Sequence, residues 1–274
     1  GVTVEKKEGL IKRDGNEALL VDLPGTYAFG SRALDETIAR DFIINENPDA
    51  VINVVDSTHL ERNLYLTLQL LEMGVPVVIA LNMYDEAKSL NLQIDVEKLS
   101  GLLGVEVIPT VAVDGKGVDE LVRCAIRTAQ ANQSRKEQLE AWIAKETPII
   151  DYGETIEVEI ALLERHLVDS YGSNQRLYWR WYAIKLLEAD IAVPKKFESV
   201  IDMSAARGKT ARDLQANVAE ARARIRQVSG AEPIDLITEA RYSNAARIAE
   251  AVIGQSSDPA KSSSYAIDRI VLNP

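Results

Sequence analysis

Four aliphatic runs set the frame for any fold this chain can adopt: "ALLVD" (18–22), "AVINVVD" (50–56), "PVVIALN" (76–82) and "VEVIPTV" (105–111). Val, Ile and Leu at successive positions make both faces of a strand apolar. A parallel strand covered by helices on each side needs that pattern, whereas a half-exposed strand would alternate. Helical patterns lie between or after the runs: "LDETIARDFIINEN", "LERNLYLTLQLLEMG", "DVEKLSGLLG" and "GVDELVRCAIRTAQA". Gly74 and Gly104 fall where helix-ending glycines belong, each just ahead of the next strand. Residues 2–22 read as a hairpin turning at Asp14-Gly15. The prediction for residues 1–130 is therefore an α/β domain: a mostly parallel sheet, helices on both faces, and one antiparallel edge strand.

Beyond residue 131 the pattern becomes helical. Two narrow apolar stripes, Ile156, Ile160, Leu163, Leu167 and Leu214, Val218, Ala221, Ile225, Val228, have the four-three spacing of helices packing on helices. Residues 174–190 and 233–254 are two more helices, the latter opened by Pro233 and closed by Gly254. Residues 131–274 are expected to form an all-α domain. The boundary "AQANQSRKEQ" is polar and compatible with helix rather than a flexible linker.

The chemistry-bearing residues cluster at strand ends. Asp22-Leu23-Pro24-Gly25 follows the first aliphatic run, where ligands bind in open α/β sheets. A carboxylate there can hold magnesium through water, and a glycine amide can approach a terminal phosphate with no side chain in the way. Alone, D-x-x-G is ordinarily a turn. Asn82-Met83-Tyr84-Asp85 follows a second buried run. Guanine presents N1–H and N2–H side by side, and a carboxylate accepting from both selects it over adenine. N-x-x-D alone is ordinarily a helix cap. One strand–helix–strand unit beyond a D-x-x-G strand, the pair is far more specific than either part. Thr3 precedes the hairpin and can offer its hydroxyl to magnesium and its amide to the terminal phosphate. Val111-Ala112-Val113 ends the last run, and by position its amides face the guanine oxygen. No G-x-x-x-x-G-K-[ST] loop precedes Thr3. In the one Gly-Lys-Thr, Gly208-Lys209-Thr210, Met203 stands where the first glycine belongs and no buried strand leads in, so it reads as a surface charge at a helix start. A strand, loop and helix of roughly 30 residues are expected ahead of Gly1.

Composition narrows the alternatives. A net charge of −11 repels nucleic-acid phosphates and weighs against a ribosome- or RNA-associated GTPase. Two histidines and one cysteine make a structural zinc site implausible, and no apolar run approaches the length of a membrane span. The chain reads as a soluble, cytosolic-type polypeptide. Cys124 reads as a buried inert thiol, His59 as an exposed helix-entry residue and His166 as a partly buried helix residue. Trp142, Trp179 and Trp181 read as core anchors, and Arg207, Arg212, Arg222, Arg224 and Arg226 as a solvated helix face.

With "GVTVEKKEG", "VDLPGTY", "LDETIARDFI", "INVVDSTHLERNLYLTLQLLEMGVPVVIALNMYDEA" and "AIDRIVLNP" in view, the chain resembles the bacterial ferrous iron transport protein B (FeoB) family along its whole length, most strongly to about residue 120. The resemblance implies a Ras-like GTPase domain followed by a helical domain that stabilises the GDP-bound form. A membrane domain that moves ferrous iron would follow, and this fragment would sit at the cytoplasmic face of the bacterial inner membrane. Carried over, Thr3 would be the first-switch threonine for magnesium and terminal phosphate, flanked by Gly1, Val2, Val4 and Glu5. Asp22 and Gly25, with Leu23 and Pro24 between, would be the second-switch pair. Asn82 and Asp85, with Met83 and Tyr84, would read guanine, backed by Val111, Ala112 and Val113.

The implied cofactors are GTP or GDP and Mg2+, with K+ as a family feature tied to the phosphate loop. The implied partners are the chain's own transmembrane iron-permeation domain, small accessory proteins of the iron-uptake operon and a homo-oligomer, with no nucleic acid. The segment between Tyr27 and Asp35 looks shorter than the family's. Thr26 stands where many GTPases carry a water-orienting glutamine, so slow hydrolysis is expected, and weak nucleotide binding wherever the phosphate loop is lacking. Two functions are weighed: a slow GTPase regulating iron uptake, and a nucleotide-responsive module that gates the membrane domain with hydrolysis incidental.

Overall fold

The computed structural model describes residues 7–29, 33–137, 150–171, 176–190 and 209–254. Gly1 to Glu5, Trp142, Arg207, Gly208 and the "AIDRIVLNP" tail lie outside them.

Strands β1 (Lys7–Arg13) and β2 (Asn16–Asp22) form an antiparallel hairpin in which Lys7 faces Asp22 and Arg13 faces Asn16. Asp14 and Gly15 both have positive φ, 49° and 78°, the turn whose twist matches that of the paired strands. Three more strands, β3 (Val51–Asp56), β4 (Val77–Asn82) and β6 (Val107–Pro109), form a parallel sheet with β4 in the middle. Helix α1 (Leu34–Glu46) leads into β3, and α2 (Leu60–Glu72) crosses from β3 to β4. Helix α3 (Tyr84–Ser89), the short strand β5 (Gln93–Ile94) and α4 (Val96–Leu103) lead from β4 to β6. Asp95 caps α4 by accepting from the Lys98 amide at 2.9 Å.

The two faces of β4 explain why its sequence is unbroken apolar. Val77, Ile79 and Leu81 join the main core with Leu60, Leu64 and Leu68 of α2 and Leu99 and Leu103 of α4. Val78 and Ala80 turn the other way, onto Ile108 and onto Leu121 and Cys124 of α5 (Val118–Glu137). Cys124 is a free buried thiol, and burial raises its pKa.

The helical part comprises α6 (Glu154–Tyr171), α7 (Arg176–Leu187), α8 (Lys209–Ser229) and α9 (Pro233–Val252). The α6 stripe of Ile156, Ile160, Leu163 and Leu167 is buried as its spacing predicts. From Trp179 to Leu187, α7 is almost wholly buried. On α8 the stripe holds through Leu214, Ala221 and Ile225, but Val228 is 71% exposed. A strict 3.5-residue repeat drifts about 20° per heptad on a straight helix, and by the fifth position it has left the contact.

Two expectations are corrected, the end of the last helix and the exposure of Arg224. Among the described residues the hairpin's strands pair only with each other, and the hairpin leans on α5 through side chains. Those contacts are Arg13 to Asp119, Arg123 Nε to Asp14 at 3.0 Å and Gln130 to Asn16 at 2.8 Å. Helix α5 runs through the polar segment around residue 130 to Glu137, helical as that segment's composition allows. Helix α9 ends at Val252, and Ile253–Gly254 pair as strand β7 with β5, Ile94 facing Ile253. Arg224 is not a solvated charge alone, since it closes bidentately at 2.7 and 2.8 Å on the buried carboxylate of Glu159.

The seam between the halves is polar and buried. Arg40 of α1 meets Asp190 at 3.2 Å. Glu72, the last residue of α2, is gripped by Arg241 of α9 and receives the Tyr152 hydroxyl. Arg241 also reaches Glu188, which pairs with Lys185 at 2.7 Å. Burial and the Glu72 charge beside it push the Tyr152 phenol far above its ordinary range. Tyr65 of α2 and Tyr242 of α9 meet ring to ring at 4.4 Å.

Candidate functional site

In the parallel register Asp56 lies level with Asn82, so both stand at the carboxyl end of the sheet, and β6 ends beside them at Pro109. Beyond these ends the backbone is held tightly. The Asn82 carboxamide oxygen accepts from the Thr110 hydroxyl at 3.2 Å and from the Ala112 amide at 3.0 Å. Its backbone carbonyl accepts the Ser57 hydroxyl, and Tyr84 donates its amide to the Thr110 carbonyl at 3.3 Å. One asparagine thus ties together the ends of β3, β4 and β6. Met83 takes the left-handed conformation, φ 57°, and turns the chain sharply from β4 into α3. Asp85, in the first turn of α3, is left exposed at the rim.

The loop after β6 closes on itself. Val111 and Lys116 exchange backbone hydrogen bonds at 3.0 and 3.2 Å around a short 3-10 turn at Ala112–Asp114. Val113 projects almost fully into solvent. Gly117 has φ 76°, and a Cβ there would lie 2.1 Å from the Pro109 carbonyl oxygen, so no other residue fits. Lys116 pairs with Asp114 at 2.8 Å, and that hydrogen bond, with the charges of Asp114 and then Asp85, raises its pKa. Lys116 and Gly117 did not stand out in the sequence, although "DGKG" carries the turn signal. Asp56 is partly buried, which pushes its carboxyl up, but hydrogen bonds from the Thr58 hydroxyl and amide and from His59 bring it below its ordinary value. His59 is exposed at the entry to α2.

Asp22 and Gly25 sit on a separate support. Asp22 ends β2 and is exposed; Leu23 packs against the main core; Gly25 is exposed with open space around it. Thr26 turns on itself, its hydroxyl donating to the Ala28 carbonyl at 2.6 Å. Arg62 of α2 lies over the Tyr27 ring at 4.1 Å. The loop ends at Phe29, whose buried amide donates to Gln69 of α2 at 2.7 Å. The structure therefore brings Asn82, Met83, Tyr84, Asp85 and Val111 to Val113 to one rim. Asp22 to Gly25 are carried on the other sheet, and Thr3 with its neighbours Gly1 to Glu5 lies outside the described residues. No group of three or more His, Cys, Asp or Glu able to hold a metal occurs among the described residues. The exposed carboxylate of Asp22 is of a kind that can hold a magnesium ion through water.

Residues 1–125 match the family model described as ferrous iron transport protein B, and residues 152–254 match that described as the FeoB cytosolic helical domain. The Fe(2+) transporter FeoB of Escherichia coli K12 is 36% identical over 100% of the chain, and that of Shigella flexneri 35%. The chain spans 32% of the length of each. The cytosolic domain of T. maritima FeoB in apo form superposes with a TM-score of 0.68 at 32% identity, covering 93% of this chain and 87% of that one. A GDP-bound variant of S. thermophilus NFeoB superposes with a TM-score of 0.75 at 32% identity, covering 93% and 88%. The mGMPPNP-bound NFeoB from S. thermophilus gives 0.70 at 32%, covering 94% and 88%.

Proposed function

Because this chain belongs to the ferrous iron transport protein B family, we propose that it is the guanine-nucleotide-binding and GTP-hydrolysing part of a ferrous iron transporter. The observation that carries this is Asn82. Its carboxamide locks the end of β4 to the loop of Val111 to Val113, and Asp85 stands open one turn away. That places a carboxylate acceptor for guanine N1–H and N2–H beside a row of backbone amides for the guanine oxygen. Similar solved structures are titled as bound to GDP and to GMPPNP.

The phosphates belong at the Asp22–Gly25 loop, where the Gly25 amide meets the terminal phosphate and Asp22 holds magnesium through water, with Thr3 as its partner. Two features support a further strand and helix that carry the phosphate loop. The outer edges of β2 and β3 have no hydrogen-bonded neighbour among the described residues. Val54 of β3 is 62% exposed on the face that α5 covers elsewhere. A strand between β2 and β3 with a helix above Val54 would satisfy both. Hydrolysis is slow, since Thr26, the residue after Gly25, spends its hydroxyl on its own turn. Residues 1–130 form the GTPase domain and 131–274 the helical domain. The transmembrane iron-permeation domain is the partner, with K+, operon-encoded accessory proteins and self-association as further features of the family.

A second reading, nucleotide-dependent gating with hydrolysis incidental, is favoured by the buried seam. Glu72 and Arg40 join helices of the nucleotide-binding half to the helical half. Nucleotide titration of the full-length protein tests the proposal: GDP binds and ADP does not, and Asn82→Ala weakens GDP at least about tenfold. Equal binding of ADP and GDP would remove the guanine assignment.

A further inference from the structure

The phosphate-facing loop is anchored at its far end by a single side chain that nothing in the motif pattern picks out. Phe29 is 3% exposed and Gln69 4%, so the 2.7 Å hydrogen bond between them is made out of reach of water. A buried amide without an acceptor is costly, so Phe29 cannot leave this contact without finding another. The near end of the loop is fixed by β2 through Asp22, and Leu23 packs on the core. Seven residues after Asp22 the chain is pinned again, which leaves Pro24 to Ala28 as a short span between two fixed points. The Arg62–Tyr27 contact, from the same helix, restrains its middle. Three residues beyond Gln69, α2 ends at Glu72 in the grip of Arg241 and Tyr152 from the helical half. The rear anchor of the loop is thus part of a helix whose own position is set by the buried ion pairs of the seam.

We propose that Gln69 is a positioning residue for the terminal-phosphate chemistry: through the Phe29 amide it fixes where the Gly25 amide stands, and through α2 it sets that position relative to the helical half. The inference rests on the nucleotide assignment above. Gln69 is buried and its carboxamide oxygen is taken by the Phe29 amide, so its effect falls on the terminal phosphate and spares the guanine end, which is held by β4 and the loop after β6.

The test uses Gln69→Met, which keeps an unbranched side chain of similar length and removes the acceptor. In the unsubstituted protein, hydrogen exchange at the Phe29 amide is slow, with the protection of the α2 interior. In Q69M it rises at least about tenfold relative to α2 amides. Turnover of bound GTP falls about tenfold, and the preference for a non-hydrolysable GTP analogue over GDP shrinks, while GDP affinity stays within about twofold. Loop-like exchange at Phe29 in the unsubstituted protein overturns the tether without any variant being needed. A Q69M protein in which GDP affinity and turnover fall together overturns the positioning role, because the effect is then not confined to the terminal phosphate. If the unsubstituted protein binds no guanine nucleotide, the assignment of the site fails, and the exchange of Phe29 still judges the tether by itself.

Discussion

Arg241 closes on Glu72 with three contacts of 2.9 to 3.2 Å, although 169 residues separate them and both side chains are almost fully buried. The same guanidinium reaches Glu188 just past the end of α7, so one cation bridges two buried carboxylates from distant parts of the chain. Burial disfavours the charged guanidinium, yet the neighbouring Glu72 and Glu188 charges outweigh that and hold its pKa well above the ordinary value. An arrangement of this kind is strong only while complete, since removing one member leaves bare charge in a dry place.

Arg241→Met is therefore expected to destabilise the protein by about 3–5 kcal/mol, because it leaves the buried Glu72 without its cation and Glu188 with Lys185 alone. Arg226→Met, on an exposed pair with Glu232, changes stability by less than about 1 kcal/mol. Urea unfolding of the two variants side by side gives the comparison. Similar small losses for both would mean that the seam does not hold the halves together.

Acid should act on the same place. Burial raises the Glu188 carboxyl, but the charges of Lys185 and Arg241 and their hydrogen bonds outweigh it and hold its pKa below the ordinary 4.5. A depressed carboxylate stabilises the fold above its unfolded pKa and loses that contribution as pH falls through the folded value. Stability measured from pH 6 downward should decline below about 4.5. In Glu188→Gln the decline over that window should be shallower. A parallel slope in the variant would show that other carboxylates carry the acid limb.

Two glycines near the site separate fold from function. Gly117→Ala forces a positive φ and a contact of 2.1 Å with the Pro109 oxygen, and should cost at least about 2–3 kcal/mol. Gly25→Ala meets nothing within 4 Å and should leave stability within about 0.5 kcal/mol, so any effect appears in GTP binding or turnover. Thermal unfolding distinguishes the two, and a large loss at Gly25 would place that loop against something other than nucleotide.

Much of this was legible in the sequence because it is local. Unbroken aliphatic runs mark β3 and β4, Asp14-Gly15 marks the hairpin turn, and the α6 stripe marks its buried face. Asn82, Asp85 and the loop after β6 are legible together because parallel strands end on one side of a sheet. What the sequence does not show is pairing across distance. A charged residue within an apolar stripe, as Arg241 among Ile237, Ala245 and Ile248, signals that a partner exists but not that it is Glu72. Gln69 hides in "LTLQLLE" in the same way, its acceptor role visible only once Phe29 is placed against it. The hairpin's side-chain contacts with α5 were equally hidden, because strand periodicity does not identify what a strand leans on.

The central claim, that Asp85 reads guanine at the rim organised by Asn82, is tested most directly by exchanging the base. Xanthine carries a carbonyl where guanine carries its N2 amino group, so Asp85→Asn, which offers an amide donor, should invert the preference. The account predicts that in the full-length protein D85N loses at least about a hundredfold in GDP affinity and gains binding of xanthosine diphosphate. GDP affinity unchanged by the substitution, with no gain for the xanthine nucleotide, would contradict it.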